Sequence, residues 1–222
     1  MTLRLDPDGA EHYPALVPPA DMPAFHRLGE RIGTGTAGRR LAASAALARL
    51  TGPDSAACRL AARILGSKAR AVRAVLFDKT AANNWPLGWH QDRTICVTAR
   101  AEVAGFGPFT VKQGLLHVQP PVDLLSRMIT LRAHLDPCGP GNAPLRVAPG
   151  SHLSGLVPSA DIAAEVARRG EATCLADTGD VWAYRTLILH ASGRAAEPSR
   201  RRVLQVDFAA EDLPAPLSWA GL

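Results

Sequence analysis

The period of the hydrophobic pattern changes about a third of the way along the chain. Up to residue 66, apolar residues recur at helical spacing; from Val72 on they alternate or fall in short runs broken by Gly and Pro. Residues 1–20 are rich in Pro and Asp and predict an irregular lead-in. A first helix is predicted from Ala20-Asp21-Met22-Pro23, where Asp21 can cap and Pro23 suits an early helical position. It runs to about Ile32 and is broken by Gly33-Thr34-Gly35-Thr36. The alanine-rich stretch from Ala37 to Leu50, with Ala43, Leu47 and Leu50 at helical spacing, predicts a second helix. Ser55 to Leu65 predicts a third, stopped by Gly66.

The remainder reads as strands. Val72 to Phe77 is the first, followed by a loop over residues 78–84. Trp85-Pro86 then leads into a strand holding Trp89-His90-Gln91-Asp92, supported by β-branched Thr94, Ile95 and Val97. Residues 98–121 are interrupted by Gly and Pro and predict a long loop with short strands. Met128 to Asp136 alternates, with Met128, Thr130, Arg132 and His134 on one face and Ile129, Leu131, Ala133 and Leu135 on the other. Further strands are expected at residues 145–148, 172–175, 181–184, 187–191 and 202–208, with a short helix over 159–169. Helices followed by many short strands predict a mainly β fold with flanking α. The expected form is a double-stranded β-helix, a cupin-like jelly roll over 71–210 with a helical flank over 1–70 packed on it.

At 222 residues the chain fits one domain, 1–222. The net charge of +5 is modest and the arginines are scattered, which argues against a nucleic-acid partner. Four cysteines lie far apart with no zinc spacing, no stretch is apolar enough to span a bilayer, and no signal peptide is read. A cytoplasmic location with free thiols is expected, and no membrane partner. The oligomeric state is left open.

The candidate chemistry lies in His90 and Asp92. Two apart on a strand, they project from the same face and supply two groups of a 2-His-1-carboxylate set, which holds non-haem Fe(II). Other candidate parts lie about a hundred residues on, in Leu189-His190-Ala191-Ser192 and Arg200-Arg201-Arg202.

From Val72 to Phe208 the chain carries Leu76-Phe77-Asp78-Lys79, Trp89-His90-Gln91-Asp92, His134-Leu135-Asp136, Pro149-Gly150-Ser151-His152, Gly179-Asp180-Val181 and His190-Ala191-Ser192 with Arg201 eleven residues past His190. In this order the sequence resembles the phytanoyl-CoA dioxygenase-like family of Fe(II)/2-oxoglutarate-dependent oxygenases. The resemblance implies that His90, Asp92 and His190 hold Fe(II). It implies that Arg201, helped by Ser192, pairs with the distal carboxylate of 2-oxoglutarate, with Arg200 or Arg202 as alternatives one residue out of register. Lys79 reaches the cosubstrate or a substrate anion, or is a solvated loop lysine. Arg132 and His134 touch substrate if their strand face lines the barrel, and His117 approaches substrate from its loop or lies at the surface. Any cover over the substrate must come from residues 98–121 or the first helices.

The implied reaction consumes O2 and 2-oxoglutarate, releases succinate and CO2, and hydroxylates a C–H bond of a small metabolite or natural-product intermediate. Desaturation, epoxidation or cyclisation are alternative outcomes, and a non-catalytic jelly roll binding a metal or small ligand is the rival class. The intact carboxylate of Asp92 favours hydroxylation over halogenation, because halogenating relatives carry a small residue there.

Overall fold

A computed structural model describes residues 2–32 and 38–222. In chain order the first strands are β1 (Ala10–Tyr13), β2 (Gly38–Leu41), β3 (Arg70–Lys79), β4 (Leu87–His90), β5 (Ile95–Cys96), β6 (Phe109–Lys112) and β7 (Leu115–Val118). They are followed by β8 (Ile129–His134), β9 (Leu145–Val147), β10 (Ala172–Cys174), β11 (Val181–Arg185), β12 (His190–Ser192) and β13 (Arg201–Ala209). The helices are α1 (Leu5–Asp8), α2 (Met22–Ile32), α3 (Ala45–Thr51), α4 (Ala56–Leu65), α5 (Val122–Ser126) and α6 (Ile162–Arg169).

The strands build a jelly roll. A six-stranded antiparallel sheet has the order β1-β11-β8-β13-β3-β2, and a four-stranded sheet β10-β9-β12-β4 faces it. Alternation along the larger sheet sorts its two faces. Outward it presents Ala74, Leu76, Leu131, Ala133, Leu204, Val206 and Phe208, which pack on Phe25 and Leu28 of α2, Leu47 and Leu50 of α3 and Leu60 of α4. Inward it presents Arg73, Phe77 and Lys79 from β3, Arg201, Gln205 and Asp207 from β13, and Thr130 and Arg132 from β8. The apolar face anchors the helical flank and the polar face is left for a site.

Several expectations change. The lead-in is not irregular throughout, since α1 and β1 lie within it and β1 forms an edge of the larger sheet along β11. The second expected helix is shorter. Gly38 to Leu41 pairs with β3 as edge strand β2, and Ser44 Oγ then caps α3 by accepting from Leu47 N at 3.2 Å. The expected break over Gly33-Thr36, and Ala37, lie outside the described residues. β3 runs through Asp78 and Lys79, so Lys79 is a strand residue rather than a loop lysine. β4 ends at His90, and Asp92 sits in the extended connection to β5. Thr186 and Leu187 form a turn, Ile188 and Leu189 lie outside any strand, and β12 begins at His190.

Residues 109–118 form the hairpin β6–β7, which joins β5 in a three-stranded sheet. Ile95 and Val118 are buried there against Leu125 and Met128. A hydrogen-bonded hairpin with a packed face is not a loose cover. Amides of residues 116–118 are therefore expected to exchange as slowly as those of β8 in the free protein. Exchange at the rate of unstructured peptide would contradict this packing.

Candidate active site

The two histidines are placed by strand pairing. His90 ends β4 and His190 opens β12, and the two are direct partners across the smaller sheet. Their ring centroids lie 4.2 Å apart. Each ring is oriented by its own backbone: His90 Nδ1 lies 2.8 Å from Gly88 O, and His190 Nδ1 lies 3.0 Å from Ile188 O. A carbonyl only accepts, so each Nδ1 carries a hydrogen, and Nε2 is the ring atom left to bind a ligand. Burial, reinforced by the neighbouring His90, pushes the His190 pKa down to about 3, so this ring is a neutral donor at ordinary pH.

Asp92 comes to the same pocket from the connection after β4. Its Oδ2 lies 3.1 Å from Arg73 Nη2 and accepts from Gln205 Nε2 at 3.1 Å. Burial alone would raise its pKa, but Arg73, His190 and His90 outweigh it and hold the carboxyl ionised, well below the usual carboxylate range. Both contacts fall on Oδ2. The carboxylate is turned toward Arg73, and among the described residues no three His, Cys, Asp or Glu side chains are grouped to hold a metal ion. The donor set nevertheless suits a divalent metal: two imidazoles oriented through Nδ1 and one ionised carboxylate.

Beneath Asp92 lies a buried polar network. Arg73 Nε donates to Asp207 Oδ2 at 2.5 Å, and Thr130 Oγ1 donates to Asp207 Oδ1 at 3.0 Å. Gln205 Oε1 accepts from Arg132 Nη1 at 2.7 Å and from Tyr184 Oη at 3.2 Å. Gln205 thus has its amide oxygen occupied by two donors, which aims its NH2 at Asp92.

The opposite end of the pocket is cationic. Arg200 pairs with Asp78 at 3.1 Å and Arg202 with Asp136 at 2.7 Å. Arg201 points inward between them, donates to Ala143 O, and has Cys138 Sγ 3.8 Å away. Its Nε has no partner, and among the described residues it has no carboxylate. Lys79 is its strand partner. The Lys79 ammonium donates to Gly193 O at 2.7 Å and lies 5.1 Å from the Trp85 ring centroid. Burial, then the charge of Arg201, pushes its pKa down to about 8. Ser192 Oγ donates at 2.9 Å to Ala143 O, the carbonyl Arg201 also uses.

The sequence as a whole agrees with known proteins. The phytanoyl-CoA dioxygenase family profile matches residues 8–203. This chain belongs to that family. Among curated proteins none matches the sequence. The epimerase SnoN of nogalamycin biosynthesis, described as non-haem and α-ketoglutarate-dependent, superposes with a TM-score of 0.66 at 18% identity, covering 96% of this chain and 88% of its own. EctD from S. alaskensis with bound Fe gives 0.69 at 18%, covering 98% and 78%. HygX from Streptomyces hygroscopicus, with nickel and 2-oxoglutarate bound, gives 0.63 at 17%, covering 92% and 84%. At these identities the likeness is one of fold.

In this member of the phytanoyl-CoA dioxygenase family, the pocket gathers His90, Asp92, His190, Lys79, Arg132, Ser192 and Arg201. His134 and His117 do not line it. His134 shares the inward face with Arg132 but is buried, both ring nitrogens lack partners, and burial with Arg132 and Arg201 pushes its pKa down to about 3. His117 is also buried, held by Leu115 O at 2.9 Å and Cys96 Sγ at 3.1 Å. A fully buried ring between two local partners cannot reach a ligand, because hairpin β6–β7 folds it into the protein. Sequence reading missed Arg73, Gln205, Asp207 and Tyr184. The signal was present on β13, where Arg201, Gln205 and Asp207 share one face and Leu204 and Val206 lie on the other.

Proposed function

We propose that the protein is an Fe(II)- and 2-oxoglutarate-dependent dioxygenase that hydroxylates a C–H bond of a small metabolite and releases succinate and CO2. The observation that carries this reading is one pocket with two poles. At one, paired His90 and His190 offer Nε2 beside ionised Asp92. At the other, Arg201 and Lys79 are buried cations with no acidic partner among the described residues. A five-carbon dicarboxylate that chelates a metal at one end and pairs with arginine at the other matches such a pocket.

His90, Asp92 and His190 would hold the iron, whose chemistry when bound is to couple O2 to oxidative decarboxylation of the cosubstrate. Arg201 presents its fork to the distal carboxylate and Lys79 adds a second charge. Ser192 donates to the carbonyl of Ala143, which also accepts from Arg201, and so helps to position that guanidinium. Trp85, Leu87 and Leu145 supply apolar wall that keeps water from the charged groups. Gln205 and Arg73 hold Asp92 through one oxygen, leaving Oδ1 for the metal. The four cysteines are free and buried, which supports a reducing, cytoplasmic setting.

The test is 2-oxoglutarate turnover by iron-loaded protein, read as succinate. The proposal requires succinate in step with 2-oxoglutarate consumed, dependent on Fe(II) and O2. Tight 2-oxoglutarate binding without any consumption would favour the non-catalytic binding class instead. Two finer outcomes follow. Because Asp92 occupies the position a halide would need, chloride should yield no chlorinated product by mass spectrometry, and such a product would overturn the assignment. Ser192→Ala should cost about 1 kcal/mol of 2-oxoglutarate affinity, the scale of a neutral hydrogen bond. A loss as large as that from removing Arg201 would mean that the hydroxyl, not the guanidinium, is the main clamp.

A further inference from the structure

We propose that Arg40 and Lys112 bind an anionic group of the substrate, a carboxylate or a phosphate, on the side of Asp92 away from Arg201. The inference rests on the oxygenase reading and adds the chemical class of its substrate.

Arg40 lies on β2 directly opposite Val75 of β3, so it shares the inward face of the larger sheet with Arg73 and Phe77. Lys79 and Arg201 sit at one end of that face; Arg73 and Asp207 are paired at the other, six residues or about 20 Å along β3. Lys112 comes from β6 and shares a face with Thr110, His117 and Cys96 in the three-stranded sheet. That face turns toward the barrel, because His117 and Cys96 are buried on it within reach of the Arg73 charge.

The two cations are brought together by a clip. Gln113, at the tip of the β6–β7 hairpin with φ 52°, accepts from Arg40 N at 2.7 Å and donates to Gly38 O at 2.9 Å. The hairpin is thereby fastened to the sheet edge that carries Arg40. Both side chains are partly buried; Lys112 feels the charge of Arg40, and both feel Arg73 and Asp92. Arg40 Nε is buried without a partner. Among the described residues neither has an acidic partner. Asp92 is already held by Arg73, and Arg73 is shared with Asp207.

Two like charges desolvated side by side are costly unless an anion joins them. The carboxylates of 2-oxoglutarate are accounted for by Arg201 and the metal pole. An oxyanion beside Asp92 must then come from the other reactant. A substrate held there by its acidic end would present a nearby C–H bond to the metal pole.

The experiment is calorimetric titration of anaerobic protein loaded with Fe(II) and 2-oxoglutarate, using propionate and methyl phosphate as probes. Saturable binding of at least one is expected. Arg40→Gln and Lys112→Gln should each weaken it about tenfold, which corresponds to about 1.4 kcal/mol. Arg39→Gln, exposed on the other face of β2, should leave it unchanged. The preferred probe tells whether the substrate carries a carboxylate or a phosphate. Absence of binding by either probe, or binding indifferent to both substitutions, would overturn the proposal. So would a loss of 2-oxoglutarate affinity in Arg40→Gln or Lys112→Gln, since the pair would then belong to the cosubstrate. Repeating the titration on metal-free protein separates this failure from that of the oxygenase reading. Probe binding that persists where 2-oxoglutarate never binds leaves the anion site intact and rejects the cosubstrate.

Discussion

Arg201→Ala is expected to weaken 2-oxoglutarate binding by about 3 kcal/mol, more than a hundredfold, while iron still binds. Of three consecutive arginines, only Arg201 turns into the pocket, since Arg200 and Arg202 are committed to Asp78 and Asp136. Its guanidinium is buried and its Nε is unpartnered, so an incoming carboxylate meets a desolvated, oriented fork. Arg201→Lys should recover only part of the loss, because a point charge cannot make two parallel bonds. Arg200→Ala and Arg202→Ala should have small effects on affinity. If either weakened binding as much as Arg201→Ala, the inward face of β13 would be misassigned. The same pole carries a pH signature. Lys79 titrates at about 8, lowered by burial and by Arg201. It is charged below that value and loses its charge above it, so 2-oxoglutarate affinity should fall as pH rises through 8. An affinity flat to pH 10 would exclude Lys79 from the clamp.

The second large effect is expected from the metal pole. Wild-type protein should bind about one Fe(II) per chain, and His90→Ala or His190→Ala should abolish tight binding. Each histidine brings an oriented Nε2, and the strand pair that joins them leaves no other imidazole in the pocket lining. Asp92→Asn should also lose iron, because an amide brings no charge and would leave Arg73 to Asp207 alone. His134→Ala and His117→Ala, outside the lining, should still load iron. Thermal unfolding of each variant separates a lost ligand from a damaged core. Full iron loading in both His90→Ala and His190→Ala would move the metal elsewhere.

What could be read from sequence followed the physics of each stretch. β8 was legible on both faces, because Leu131 and Ala133 alternate with Thr130 and Arg132, and alternation is a direct record of a sheet with one apolar and one polar side. β1 and β2 were not legible. Ala10-Glu11-His12-Tyr13 and Gly38-Arg39-Arg40-Leu41 are short and weakly apolar, and they become strands through pairing with β11 and β3. The helix after β2 does announce its start, through the capping Ser44, inside the stretch 37–50 that helical spacing alone predicts as one helix. Among the pocket-lining residues, His90, Asp92, His190 and Arg201 stand out in the sequence because the resemblance attaches to their spacing. Their support does not, because Arg73 meets Gln205 and Asp207 only when β3 and β13 pair in register. The turn of Asp92 toward Arg73 was equally hidden, since a strand through Asp92 was expected and β4 stops at His90.

The central claim is that the histidine pair and Arg201 serve one Fe(II)–2-oxoglutarate complex. Anaerobic addition of 2-oxoglutarate to Fe(II)-loaded protein, followed by visible absorption, tests it most directly. A charge-transfer band should rise and saturate at about one 2-oxoglutarate per iron. It should be absent in His190→Ala and need far more cosubstrate to saturate in Arg201→Ala. A wild-type protein that binds iron yet shows no such band at saturating 2-oxoglutarate would contradict the account, as would a band undisturbed by His190→Ala.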